Sequence, residues 1–144
     1  MLHECMSYEK EECDNSAPSS GLYVRISWKA FQQIVIFSER YAKETEPEFE
    51  WREVYGILLG EIRDVGIIDI DLAVPMTAGD RVEVTFEAQH YEDIARIQTD
   101  IENYNKSNDA KRFIVGWWHS HPNLGIFYSS VDAKPNLAIS QPTL

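Results

Sequence analysis

Two histidines stand one residue apart in the segment GWWHSHPNLGIFYSSVD, residues 116–132, in a chain with only four histidines. The run before them, RFIV, is strongly β-prone, and alternate side chains of a strand share one face. His119 and His121 therefore project together while Ser120 points away. Two imidazoles at a strand's end can hold one metal ion, whereas a hydrophilic turn after an aromatic strand is the plain alternative for an isolated pair. A third ligand must come from elsewhere. Asp132 is the candidate, because Pro122 and Gly125 in the intervening turn can bring the chain back toward the histidines. Two histidines and one carboxylate suit Zn2+, and a water in the fourth tetrahedral position makes such a site catalytic in type.

Periodicity supplies the framework around these residues. LYVRIS at 22–27 alternates as a half-buried strand does. Ser27 is a plausible N-cap for a helix over roughly 28–43, whose Trp28, Phe31, Ile34, Val35, Ile36 and Phe37 wrap much of the circumference and predict heavy burial. TEPEFEW breaks that helix, and EVYGILLGEIR reads as an apolar strand. GIIDIDLAVPM reads as a second strand with Ile68, Ile70, Leu72 and Val74 on one face, and VEVTF as a third. Residues 88–106 form the best helix, with Tyr91, Ile94, Ile97, Ile101 and Tyr104 in one stripe. The order strand, helix, three strands, helix, strand predicts an α/β (α+β) fold, a mixed sheet sandwiched by helices.

Composition narrows the function classes. At 144 residues the chain is expected to hold a disordered acidic leader over 1–20 and one domain over 21–144. A net charge of −11 repels phosphate backbones and anionic headgroups, so neither nucleic acid nor a membrane is an expected partner. No stretch approaches the length of a spanning helix, and the N-terminus lacks a signal peptide's apolar core, so a cytoplasmic location is expected. Cys5 and Cys13 have neither CxxC spacing nor a histidine cluster nearby, and reduced thiols are the expectation.

The full spacing is H-x-H, seven residues, S, two residues, D, met by His119, His121, Ser129 and Asp132. This pattern resembles the signature of the JAMM (MPN-plus) metalloprotease family. The family also carries a glutamate ahead of a glycine in an apolar EVxGxxxG segment, and EVYGILLG is similar, with Glu53, Gly56 and Gly60 in the matching places. The element order from about Leu22 onward resembles the family's domain too. The resemblance implies an MPN/JAB1 fold of the cytidine-deaminase-like kind. It implies one Zn2+ per chain on His119, His121 and Asp132, with Glu53 exchanging protons with the attacking water and the departing amine. Ser129 would donate a hydrogen bond to the oxyanion. The implied substrate is an isopeptide bond between the C-terminus of ubiquitin, or a ubiquitin-like modifier, and a lysine amine.

Two other readings stay open. The same residues would serve a hydrolase trimming a ubiquitin-like or sulfur-carrier protein at a linear peptide bond. A non-catalytic MPN scaffold subunit in a larger assembly is the third, although the complete residue set argues against it. The chain departs from the family pattern at Asn123, where glycine is usual; asparagine tolerates positive φ and the turn is expected to survive. Only twelve residues follow Asp132, with Pro135 among them, where the family continues with a helix and a strand; a truncated C-terminus is the expectation.

Trp117 and Trp118 are expected to wall the sheet and shield the metal, and Ser120 to make local hydrogen bonds. His3 and His90 are expected to face solvent, and Asn105, Lys106 and Ser107 to form a helix-ending loop.

Overall fold

A computed structural model describes residues 23–64, 66–79 and 88–125. Strand β1 (Tyr23–Ile26) leads into helix α1 (Trp28–Tyr41), a 3-10 turn (Glu48–Glu50), and strands β2 (Val54–Asp64) and β3 (Ile67–Ala78). Helix α2 (Ala88–Asn108) and strand β4 (Phe113–His119) follow. The predicted strand VEVTF, the leader 1–20 and the chain after Gly125 lie outside the described residues. Among the described residues no helix is long and apolar enough to cross a membrane.

The sheet runs β1-β3-β2-β4. β1 pairs parallel with β3, and β2 pairs antiparallel with both β3 and β4. This is the mixed sheet expected from the sequence, with a helix on each face. Ser27 caps α1, its Oγ accepting from Ala30 N at 3.1 Å, a contribution of about 1 kcal/mol. α1 packs through Ala30, Ile34, Phe37 and Tyr41 against Val54, Ile70, Ala73 and Trp118. α2 packs through Ile94, Ile97 and Ile101 against Ile57, Leu59 and Trp117 on the other face.

Several expectations change. First, α1 is not buried all round: Trp28 is 69% exposed, and Phe31, Val35 and Ile36 are exposed as well. A helix lying on a sheet buries one stripe only. β1, an outer strand among the described residues, is likewise exposed along its length rather than half-buried.

Second, Ile68, Ile70, Leu72 and Val74 do not share a face. The register against β2 slips between Leu59 and Gly60, leaving Asp71 unpaired. Ile68 and Ile70 therefore pack with the α1 cluster, and Leu72 and Val74 with the α2 cluster. A bulge adds one residue to a period of two and turns the rest of the strand over.

Third, the ends of the α2 stripe, Tyr91 and Tyr104, are exposed. The 21 residues of α2 span about 31 Å, whereas the seven of β4 reach about 23 Å. Residues 105–107 are helical, not a loop. Asn105 clasps the next connection, donating to Arg112 O at 2.7 Å and accepting from Arg112 N at 3.0 Å. Arg112 lies 4.2 Å over the Tyr104 ring and pairs with Asp71 at the bulge.

Away from the histidines, Asp69 on β3 accepts from Arg25 on β1 at 2.5 and 2.7 Å and pairs with Arg63 on β2 at 2.7 Å. The Arg25 guanidinium holds the Asp69 carboxyl below its ordinary range, and Arg25 in turn is raised.

Candidate metal and catalytic site

Glu53 immediately precedes β2 and is 3% exposed, not the solvated residue a strand start would suggest. The backbone on either side of it is tied down. Gly79 N donates to Glu53 O at 2.8 Å, Ser120 N donates to Val54 O at 2.9 Å, and Val54 N donates to Ser120 Oγ at 3.1 Å. Ser120, between the two histidines, thus fastens the end of β4 to the start of β2 across 66 residues of sequence. Gly56 permits the close packing beside it. A Cβ there would fall inside the Val74 carbonyl and the Trp118 indole.

β4 ends at His119, and the chain turns through Pro122, Asn123 and Leu124. Asn123 has φ 57°, as expected of an asparagine standing for glycine, and Gly125 has φ 80°. The turn brings His119 Nε2 and His121 Nε2 to 2.7 Å from one another. Nitrogens of two imidazoles on one tetrahedral zinc stand about 3.3 Å apart, given Zn–N bonds of about 2.0–2.1 Å. An opening of roughly 0.6 Å would admit the ion.

The ring planes are set by neighbours. Trp117 stacks on His119 with centroids 4.8 Å apart and planes 19° apart. His121 Nδ1 lies 3.0 Å from Glu53 Oε1. Both atoms are buried, so the carboxylate and the ring are held against one another out of solvent. Two convergent Nε2 atoms beside a buried carboxylate fit a divalent metal through imidazole donors. Among the described residues no group of three or more His, Cys, Asp or Glu that could hold a metal stands together. Asp132, the expected third ligand, and Ser129 lie outside the described residues.

Residues 19–142 match the sequence pattern described as the JAB1/Mov34/MPN/PAD-1 ubiquitin protease family. The chain belongs to this family. Among curated relatives of this MPN-type chain, the COP9 signalosome complex subunit 5 of Eremothecium gossypii is 28% identical over 129 residues, covering 83% of the chain and 29% of the relative. The same subunit of Drosophila melanogaster is 29% identical over 85 residues, covering 59% of the chain and 25% of the relative. The ubiquitin carboxyl-terminal hydrolase RPN11 of Saccharomyces cerevisiae is 33% identical over 92 residues, covering 62% of the chain and 28% of the relative. The MPN chain thus spans between a quarter and a third of the length of these proteins.

Of the residues singled out in the sequence, Glu53, His119 and His121 come together. Trp118 does not join them. It points to the opposite face, is buried, and meets Phe37 edge-on at 6.3 Å, so of the two tryptophans it is Trp117 that lies against the site. His90, near the start of α2, is half-buried rather than solvent-facing, and its ring meets Tyr55 edge-on at 5.5 Å. Tyr55 is fully buried and lies opposite His119 in the β2–β4 register. Tyr55 follows Glu53 by two residues, and strand alternation could have placed it near the site. No spacing in the sequence links His90 to it. His3 lies outside the described residues.

Proposed function

We propose that this chain is a zinc-dependent isopeptidase that releases ubiquitin or a ubiquitin-like modifier from a lysine amine. The observation that carries the reading is the convergence of His119 and His121 with the buried Glu53 carboxylate against the latter's ring. Family membership and a relative named as a ubiquitin carboxyl-terminal hydrolase favour this substrate class. His119, His121 and Asp132 would hold one Zn2+. When bound, the metal supplies Lewis acidity, lowering the pKa of a water toward about 7 and polarising the scissile carbonyl.

The protein's own groups do the rest. Glu53 takes a proton from the attacking water and returns it to the lysine nitrogen as the C–N bond breaks, leaving a free carboxylate and a free amine. Ser129 donates a hydrogen bond to the carbonyl oxygen as it gains charge. Trp117 covers one face of the His119 ring.

The test is hydrolysis of ubiquitin joined through its C-terminus to the ε-amine of a lysine peptide, beside a linear ubiquitin fusion. Cleavage of the lysine-linked substrate, reduced by about 10²–10⁴ in Glu53→Gln with zinc content unchanged, is the expected result. Preference for the linear fusion would move the reading to a processing hydrolase. A folded, zinc-free chain cleaving neither would be a scaffold.

Work inside a larger assembly is part of the proposal. Relatives are named as subunits of the COP9 signalosome and of the 26S proteasome. α1 also presents Trp28, Phe31, Val35 and Ile36 to solvent, an apolar area of the kind proteins cover with a partner.

A further inference from the structure

The segment between α1 and β2 is held more firmly than a surface connection requires. Trp51 Nε1 donates to Lys43 O at 2.9 Å and to Glu46 O at 3.1 Å, closing the loop on itself. Arg52 N donates to Tyr41 O at 3.0 Å and Glu50 N to Pro47 O at 2.9 Å. Asn123 Nδ2 donates to Glu48 Oε1 at 3.1 Å, fastening the 3-10 turn to the turn that leaves His121. Within the 3-10 turn Phe49 is 70% exposed, and Leu124, next to Asn123, is 43% exposed. The clasp therefore joins the two turns that carry these exposed apolar side chains. Glu53 follows Phe49 by four residues, and His121 precedes Leu124 by three.

An ordered loop that presents phenylalanine to water gains nothing for folding from that side chain. A prepaid conformation with an apolar knob is what a docking surface needs, because little ordering entropy remains to oppose binding. The charge around the knob selects the partner. Residues 44–50, ETEPEFE, carry four glutamates and no cation, and all but the half-exposed Glu46 are exposed.

We propose that Phe49 and Leu124, ringed by Glu44, Glu48 and Glu50, dock the modifier: a surface with an apolar patch bordered by lysine or arginine, leading to the tail whose bond is cut. The inference rests on the isopeptidase reading for the partner's identity and adds the surface that recognises it. The rim lies on the two segments that carry Glu53 and His121, so docking there fixes the approach of the tail to those groups. Apolar contact supplies the affinity, and the carboxylates supply orientation and encounter rate.

Binding and cleavage are measured separately on the full chain. Binding uses fluorescence anisotropy with labelled ubiquitin joined to a lysine peptide, in a Glu53→Gln background; cleavage uses the chain with Glu53 intact. Phe49→Ala is expected to weaken binding about tenfold, the loss typical of a central aromatic anchor, and to raise KM with kcat within twofold. Glu50→Lys is expected to weaken binding and to make its decline with added salt shallower. Both positions are exposed, so each variant should melt within a degree or two of the parent. Unchanged affinity in a folded Phe49→Ala, or no binding by the parent chain, would overturn the docking rim. Phe49-dependent binding without any cleavage would instead keep the rim and reject the isopeptidase.

Discussion

The two faces of the β2–β4 pair differ by a single residue step along the same strands. On the α1 face, Val54 and Trp118 are buried among Ala30, Ile70 and Ala73. One residue away on each strand stand Glu53, Tyr55, Trp117 and His119. The α1 side is packing without chemistry. The α2 side begins as packing at Leu59, Ile57 and Trp117 and ends in titratable groups around His119 and His121. Precision at the second end is bought from the first: Gly56 lets Trp118 come close beneath β2, and Ser120 bonds the two strand ends together.

If the faces divide support from chemistry in this way, variants on them should separate stability from metal affinity. Trp118→Ala should be the most destabilising, by about 3–5 kcal/mol in denaturant unfolding, with zinc affinity of the folded fraction unchanged. Gly56→Ala should cost about 1–3 kcal/mol, because the added methyl meets a backbone carbonyl that cannot step aside. Trp117→Leu should do the reverse. It should weaken zinc binding about tenfold by competitive chelator titration, as loss of a group orienting a ligand does, while costing less stability than Trp118→Ala. Equal effects of the two tryptophans on both readouts would erase the distinction between the faces.

The smallest effect is expected at Asp69, remote from both histidines. Its carboxyl is held below the ordinary range by Arg25, so the charged form is favoured more in the folded than in the unfolded chain. Its contribution is complete above the ordinary carboxylate pKa of about 4 and is lost as pH falls through the lower folded value. The melting-temperature gap between the parent and Asp69→Asn should be constant from neutral pH to about pH 5 and should close toward pH 3.

Much of this arrangement was legible in residue order, and what was not has identifiable causes. Ser27 announced the start of α1, and the Ile94, Ile97, Ile101 spacing announced the buried side of α2, because caps and helical stripes are local. The reading of β3 failed at Asp71, since a bulge is decided by pairing with β2 and leaves no mark in the alternation of Ile68, Ile70, Leu72 and Val74. The exposure of Trp28 and Ile36 was invisible for the same reason: which side of α1 meets the sheet is settled by its neighbours. Within the site, HxH and EVYGILLG pointed to Glu53, His119 and His121. The T-shaped contact of His90 with Tyr55 and the clasp of Asn123 on Glu48 join residues 35 and 75 positions apart, which no short motif reports.

Zinc stoichiometry of the purified, folded chain, with His121→Ala, Asp132→Ala and Glu53→Gln alongside, decides whether the histidines and Asp132 form a metal site. About one zinc per chain is expected, lost in both ligand variants and kept in Glu53→Gln. A folded parent chain without zinc, or zinc that survives removal of His121 and Asp132, would contradict it.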